Sequence, residues 1–508
     1  MHGMDRRTFV LSLGALAASP AVWSDAARFS ANPFALGVAS GYPRADSVVL
    51  WTRLMHLREP RPVEVRWQLA TDESMASVVR SGTAIADPAW AHSVHVEARG
   101  LAPDRWYWYR FRAADAESPV GCTRTAPAAD ALAGRLRFAF ASCQQYEHGY
   151  FGAYRHLVAD APDLVAFLGD YIYESSWGRE RVRHHAAPDA ITLDDYRARY
   201  ALYKADADLQ AAHAACPWIA TWDDHEVVND YADDRAGAAD SQEAFLARRA
   251  AAYRAYFEHM PLPPAMRPAG PGMRLHTDLA WGSLARFYVI DDRQYRSAHA
   301  CPQPRKRGGP SATVDVAACP ELERPERSML GEAQERWLGG ALRGSGAAWN
   351  VVAQQTRMAR LDSLPGAGRR AWTDGWDGYP QARRRLLDQL ASVRNPVVIG
   401  GDVHAFNVAQ LKRDFDDPGS PVVASEFVGT SITSHGPAQE RLDGLYADNP
   451  HLLLMDGRQR GYVRVEVTPK LWRTDLRGMA SVRERDAPCS TLATFVVEDG
   501  RPGPVRAA

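Results

Sequence analysis

Four short stretches of this 508-residue chain carry side chains that bind cations, and each follows an apolar run of strand length. Asp163–Glu174, reading DLVAFLGDYIYE, is the most informative. Leu164 to Leu168 is wholly apolar, the pattern of a central strand buried on both faces. Gly169 closes the run, and Asp170 and Tyr173 follow it. A carboxylate at the C-terminal end of a buried strand sits where open α/β sheets place their ligands. A tyrosinate beside it suits a hard, oxidising cation such as ferric iron, and the carboxylate can bridge two metals. The other stretches are Ala141-Ser142-Cys143-Gln144 after LRFAFAS, Trp222-Asp223-Asp224-His225-Glu226 with Asn229 four residues beyond His225, and Gly400-Gly401-Asp402-Val403-His404 after NPVVI. Taken singly, an Asp-His pair in a loop is usually surface and a lone cysteine is usually core. Four at strand ends, supplying acids, imidazoles, a thiol and a phenol, point to one centre on a common sheet edge.

The elements that must position them alternate after Arg135. Strands are expected at LRFAFAS, Leu164–Leu168, Trp218–Trp222, Trp349–Ala353 and Pro396–Ile399, with a strand or hairpin over Leu279–Ile290. Helices are expected over Tyr150–Asp160, Leu193–Ala215, Ser241–Met260, Gln334–Leu342 and Gln381–Val393. Tyr196, Tyr200 and Tyr203 recur at i, i+4 and i+7, the spacing of a core stripe. From Phe406 onward the pattern is β again. Such alternation followed by an antiparallel run implies two sheets packed between helices. From Asn32 to Pro127 the chain is all-β, with short alternating strands between Pro, Asp and Gly turns. Leu101-Ala102-Pro103 before Tyr107-Trp108-Tyr109 resembles the tyrosine corner of fibronectin type III sandwiches. The Ala-rich stretch Thr125–Gly134 reads as a linker. The division is therefore 1–27 as a signal segment, 28–128 as a β-sandwich domain and 129–508 as the catalytic domain.

A net charge of −1 gives no bulk electrostatic reason to bind nucleic acid. Arg6-Arg7 precedes a mild apolar stretch to Ala18 and the small residues Ser19-Pro20-Ala21. This is the pattern of a Tat-type export signal, cut between Ala18 and Ala27, and it implies the Tat machinery as a partner and a periplasmic or extracellular destination. The apolar stretch is too short for a permanent membrane anchor. Among six cysteines, Cys301 and Cys319 flank a Pro-, Arg- and Gly-rich insert and form the natural bridge in an oxidising compartment. Cys216 reads as a buried thiol, and Cys143 is set apart as chemical.

The series GDYIY, WDDHE and GDVH is similar to the signature of calcineurin-like metallophosphoesterases and purple acid phosphatases. With ASCQ, FLGDYIYE, PWIATWDDHEVVNDY and DDRQYR (Asp291–Arg296), the chain more closely resembles the PhoD-type alkaline phosphatases. That resemblance implies a four-layer αββα core behind a fibronectin type III-like N-terminal sandwich, a site holding Fe(III) with Ca2+, and small phosphate esters as substrates. Carried over, Asp170 bridges the metals, while Tyr173, Cys143 and His404 bind iron. Asp223 or Asp224, Asn229 and Asp402 bind calcium, which takes oxygen donors; the two adjacent acids leave that choice open. Asp224 and Asp402 stand where the purple phosphatase pattern has Asn and His, and carboxylates there favour calcium over zinc. A metal-bound hydroxide then attacks phosphorus, with His225 donating to the leaving oxygen and Arg293 or Arg296 clamping the other phosphate oxygens. His225 could instead only orient the neighbouring acid, and an arginine in such a loop is as readily paired with an acid. A diesterase or phospholipase D-like activity is the alternative within the family. A non-catalytic exported metal- or phosphate-binding protein is the alternative outside it.

Overall fold

Leu136–Ala141, Leu164–Leu168 and Trp218–Thr221 are apolar along their length because they are neighbours in the middle of a sheet, covered on both sides. They pair in parallel, with Leu164 opposite Phe138 and Val165 opposite Trp218. In this computed structural model, which describes residues 29–178, 180–236, 241–303 and 309–507, they form the centre of a ten-stranded mixed sheet. On one side it continues through the antiparallel strands Gly461–Val467, Leu471–Met479, Cys489–Glu498 and Arg501–Arg506. The expected signal segment, 1–27, lies outside the described residues.

A second sheet of seven strands contains the parallel run Ala285–Val289, Trp349–Ala353, Pro396–Gly400 and Val422–Val428. Its side chains alternate with period two. Phe287, Val351, Val397 and Ile399 face the first sheet, where Phe287 meets Phe138 edge to face with ring centroids 5.2 Å apart. Tyr288, Val352 and Val398 face outward, onto Leu338 and Leu342 of helix Gly331–Arg343 and Leu386 and Leu390 of helix Pro380–Leu390. The first sheet is backed by Leu193–Lys204, Ala207–Ala215 and Gln242–His259. The four layers are thus helix, sheet, sheet, helix. The expected single helix over 193–215 is two: Asp206 breaks it by accepting the amides of Asp208 (3.1 Å) and Leu209 (3.3 Å), capping the second.

The N-terminal strands divide between two sheets. Val63–Ala70, Val78–Ala86, Trp106–Ala113, Ala116–Glu117 and Gly121–Arg124 form a separate five-stranded sheet. It packs on Val38–Gly41, Ser47–Arg53 and Ser93–Arg99 through Val65, Leu69, Tyr109, Phe111, Leu50 and Val96. Those three strands are also the far edge of the ten-stranded sheet, joined where Gly41 pairs with Trp218. A Cβ at Gly41 would lie 2.7 Å from the Trp218 carbonyl, so glycine permits the approach. Tyr107 makes the corner read from the sequence, its hydroxyl accepting the Ala102 amide at 2.9 Å.

Cys301 and Cys319 are disulfide-bonded, with Cα atoms 6.1 Å apart, and Cys216 is a buried free thiol. The loop they close contains Thr313–Asp315, which pairs with Arg370–Trp372 in a two-stranded ribbon over a small core of Ala300, Ala312, Val314, Leu322 and Ala371. Among the described residues no helix is long and apolar enough to cross a membrane.

Candidate metal centre

Three of the expected loops leave the ends of adjacent strands in the ten-stranded sheet, and the fourth leaves Pro396–Gly400 in the facing sheet. They meet. Ligand atoms of Cys143, Asp170 and His404 lie within 4.8 Å of one another, and so do those of Asp170, Asp224 and His225. Asp170 belongs to both groups. The backbone is forced to make this possible: Cys143, Asp170, Asp402 and His404 have φ of 58°, 56°, 63° and 52°. That left-handed conformation costs a non-glycine residue roughly 1–3 kcal/mol and persists where the surroundings dictate it. Here the Cys143 and Gln144 amides donate to the carbonyls of Gly169 (3.0 Å) and Asp170 (3.1 Å), locking two ligand loops together. Buried Glu226 accepts from the amides of Asp170 (3.1 Å), Tyr171 (2.6 Å) and Asp223 (2.8 Å), fixing a third.

Around Asp170 the donor set is dense. The Tyr173 hydroxyl donates to Asp170 Oδ2 (2.7 Å) and lies 3.2 Å from His404 Nε2. Ser434 Oγ is 2.8 Å from both that phenol and the Cys143 carbonyl. His404 Nδ1 sits 2.7 Å from the His435 carbonyl, so Nδ1 carries the hydrogen and Nε2 keeps its lone pair for the site. Burial pushes His404 down to about 3, leaving it neutral. Burial pushes the Cys143 thiol and the Tyr173 phenol up, each against the nearby Asp170. The Asp170 carboxyl is raised by burial too, with Asp224, Glu226 and Asp402 adding to it beyond what His225 offsets. So many buried acids in one place lack matching positive charge from the protein, and a cation supplies it.

The two adjacent acids separate. Asp223 is ion-paired with Arg293 Nε, and its Oδ2 is buried without a hydrogen-bond partner among the described residues. Asp224 lies in the group with Asp170 and His225 and in another with Asp230 and Asp374. Burial opposes ionisation of Asp224, but Arg293 and His225 outweigh it and hold the carboxyl below its ordinary value. Asp402 accepts the Thr356 hydroxyl at 2.6 Å, and burial pushes it up to about 6. Asn229 is half-buried at the rim, its amide donating to Glu174 Oε1 at 3.2 Å. His225 Nδ1 is 2.6 Å from Glu174 Oε2. Burial works against the imidazolium, but Glu174, Asp224 and Asp170 outweigh it and keep His225 protonated well above its ordinary value.

Arg293 and Arg296 both lie beneath the centre, fully buried. Arg293 Nη1 reaches Asp374 Oδ2 (2.6 Å), Arg296 Nη2 reaches Asp374 Oδ1 (2.6 Å) and His299 Nε2 joins the same oxygen (2.7 Å). Arg293 Nη2 has no hydrogen-bond partner among the described residues. Asp374, Glu174, Glu226 and Ser434 are the site residues that sequence reasoning passed over. Asp374 had a signal, the aromatic- and glycine-punctuated Trp372–Tyr379 stretch WTDGWDGY.

Two sheets delivering acids, a thiol, a phenol and imidazoles from strand ends to one buried point form a candidate metal centre in a four-layer α/β protein. The PhoD-like phosphatase family matches residues 138–476, and its N-terminal domain matches residues 17–127. Alkaline phosphatase D of Bacillus subtilis (strain 168) is 45% identical over 98% of this chain and 88% of that protein. The solved structure of PhoD superposes with a TM-score of 0.89 at 45% identity, over 95% of this chain and 93% of that one. The chain belongs to the PhoD-like phosphatase family.

Proposed function

We propose that this protein is an alkaline phosphatase whose centre takes ferric iron on the side of Cys143, Asp170, Tyr173 and His404 and calcium on the side of Asp224, Asn229 and Asp402. The single observation that carries this is the Asp170 carboxylate, shared by a group with Cys143 and His404, beside the Tyr173 phenol, and by a group with Asp224 and His225. Thiolate, phenolate and imidazole suit iron, whereas carboxylates and an amide suit calcium. The pairing of Asp223 with Arg293 supports Asp224 as the calcium ligand. Bound cations supply neutralisation of the phosphoryl charge and lower the pKa of a water.

The chain's own side chains do the rest. His225, 8% exposed, is held protonated by Glu174 through Nδ1 and can donate from Nε2 to the leaving oxygen. Arg293 is anchored by Asp223 and Asp374, which leaves the Nη2 edge for a phosphoryl oxygen. Arg296 directs Nη1 and Nη2 to Asp374 and the Tyr231 carbonyl, which supports a positioning role for it. Asn229, Asp402 and His404, half-buried, mark the side from which substrate enters.

The test is a metal analysis joined to turnover of p-nitrophenyl phosphate and bis-p-nitrophenyl phosphate. Expected are a coloured protein with iron and calcium, and activity abolished by EGTA and restored by calcium. A colourless, fully active protein holding only zinc would refute the assignment. The twin arginines Arg6 and Arg7 support Tat export, tested by replacing both with lysine and following the protein outside the cytoplasm.

A further inference from the structure

Next to the centre lies a cavity of about 370 Å3, within the size range of small-molecule sites. Its inner wall includes Val403, the residue between Asp402 and His404, so the cavity and the centre share one loop. Its sides are apolar, with Leu361, Trp372 and Leu442 prominent, and the disulfide-closed ribbon contributes Ser311 to Thr313. Two arginines also line it, Arg441 and Arg357, and Arg357 is the one tied to the centre. This residue follows Thr356, whose hydroxyl holds Asp402, and its Nε donates to the Ala359 carbonyl at 3.2 Å.

The guanidinium has no ion pair among the described residues, although three carboxylates are near enough to act on it. Each is engaged elsewhere. Asp377 Oδ1 takes Arg383 Nη1 at 2.5 Å, Glu426 accepts the amides of Met358 (2.5 Å) and Ala359 (2.8 Å), and Asp402 accepts Thr356. An arginine in an apolar slot without a bound carboxylate is a receptor for an anion.

We propose that this cavity holds the organic group of the phosphate ester and selects one with an apolar body ending in an anionic group, which Arg357 binds. This deepens the phosphoesterase reading and rests on it. The phosphoryl group sits at the centre, the apolar body runs past Val403 and Leu361, and the terminal anion meets the guanidinium.

Inhibition of p-nitrophenyl ester hydrolysis by methylphosphonate, hexylphosphonate and 5-carboxypentylphosphonate tests it. Wild-type inhibition constants should fall by about tenfold or more from methyl to hexyl, as methylenes are buried. They should fall by about tenfold again when the carboxylate is added, the scale of a charge-assisted hydrogen bond. Arg357→Met, which keeps an unbranched apolar stem, should erase the second step and keep the first. Leu361→Trp, which fills the slot, should erase both. Three equal constants in the wild type would overturn the proposal. So would an Arg357→Met enzyme weakened equally toward all three, since the guanidinium would then serve the phosphoryl group. A metal-loaded enzyme that hydrolyses no phosphate ester overturns the phosphoesterase reading itself, and this proposal with it.

Discussion

The hydroxyl of Tyr173 donates to Asp170 Oδ2 across 2.7 Å, three residues along the chain and within reach of His404 on the opposite sheet. Both groups are buried; burial and then the Asp170 carboxylate make the Tyr173 phenol harder to ionise, and burial raises Asp170 in turn. A cation that accepts both as anions relieves that conflict. Tyr173→Phe keeps the shape and removes the donor. It should lower iron content, bleach the visible absorption and reduce turnover by more than about 100-fold. Absorption spectroscopy with metal analysis on the purified variant decides; a coloured, active variant removes the phenol from the ligand set.

Gly169 separates the buried strand from Asp170 at φ 107°, and a Cβ there would lie 2.4 Å from the Asp223 Cβ. Gly169→Ala should therefore displace either the Asp170 or the Asp223 loop and strain the backbone by roughly 1–3 kcal/mol. The expected outcome is a folded protein with little bound metal and little activity, followed by circular dichroism and metal content. Normal metal binding would mean that the two loops yield without disturbing the ligands.

Asp374 carries the charge of two buried arginines. Burial opposes its ionisation, but Arg293 and Arg296 outweigh that and hold the carboxyl well below the ordinary range. Asp374→Asn leaves buried positive charge uncompensated, a change that costs about 3–5 kcal/mol in comparable sites. A lower unfolding midpoint is expected, together with a raised KM for phosphate esters as Arg293 loses one of its anchors. An unchanged KM with only the midpoint lowered would make Asp374 purely structural.

Lys204 ends helix Leu193–Lys204 buried against the ring of Trp51, its Nζ 4.2 Å from the ring centroid, and burial depresses it to about 7 from an ordinary 10.5. The unfolded chain holds this proton more tightly than the fold does. Between pH 7 and 10.5 the unfolded state therefore binds more protons, and stability rises with pH across that window. The penalty is fully present below pH 7 and vanishes above 10.5. Lys204→Met should stabilise the protein at pH 7 by up to about 4 kcal/mol, on the scale of 1.4 kcal/mol per pH unit. The gap between variant and wild type should close as the pH approaches 10. A gap independent of pH would show that the lysine stays charged against the aromatic rings.

Much of the centre was legible because its strands are buried on both faces, and unbroken apolar runs ending in Gly-Asp or Trp-Asp are visible without any partner. Asp170, the Asp223-Asp224 pair and Asp402 stand out this way, with the choice between Asp223 and Asp224 left open. The same physics hid the rest. Asp374 pairs with Arg293 and Arg296, 81 and 78 residues distant, and the partner that distinguishes Asp223 from Asp224 is an arginine 70 residues on. No local pattern encodes such pairs. The shared edge at Gly41 was equally silent, since a sheet joint of one residue pair leaves no periodicity. The break at Asp206 was missed because the apolar pattern continues across it while the capping acid does not interrupt the period.

The Cys301–Cys319 bridge fastens a ribbon that walls the cavity beside the centre, and Ser311 within its loop bonds Asp230, whose amide donates to Asp224. Closing a loop of that length restrains the open chain by roughly 3 kcal/mol. Its reduction is therefore expected to loosen the cavity wall and the Asp230 contact together. Mild thiol treatment should shift the relative turnover of p-nitrophenyl phosphate and bis-p-nitrophenyl phosphate, which makes the redox state of the surroundings an expected influence on this enzyme's choice among esters.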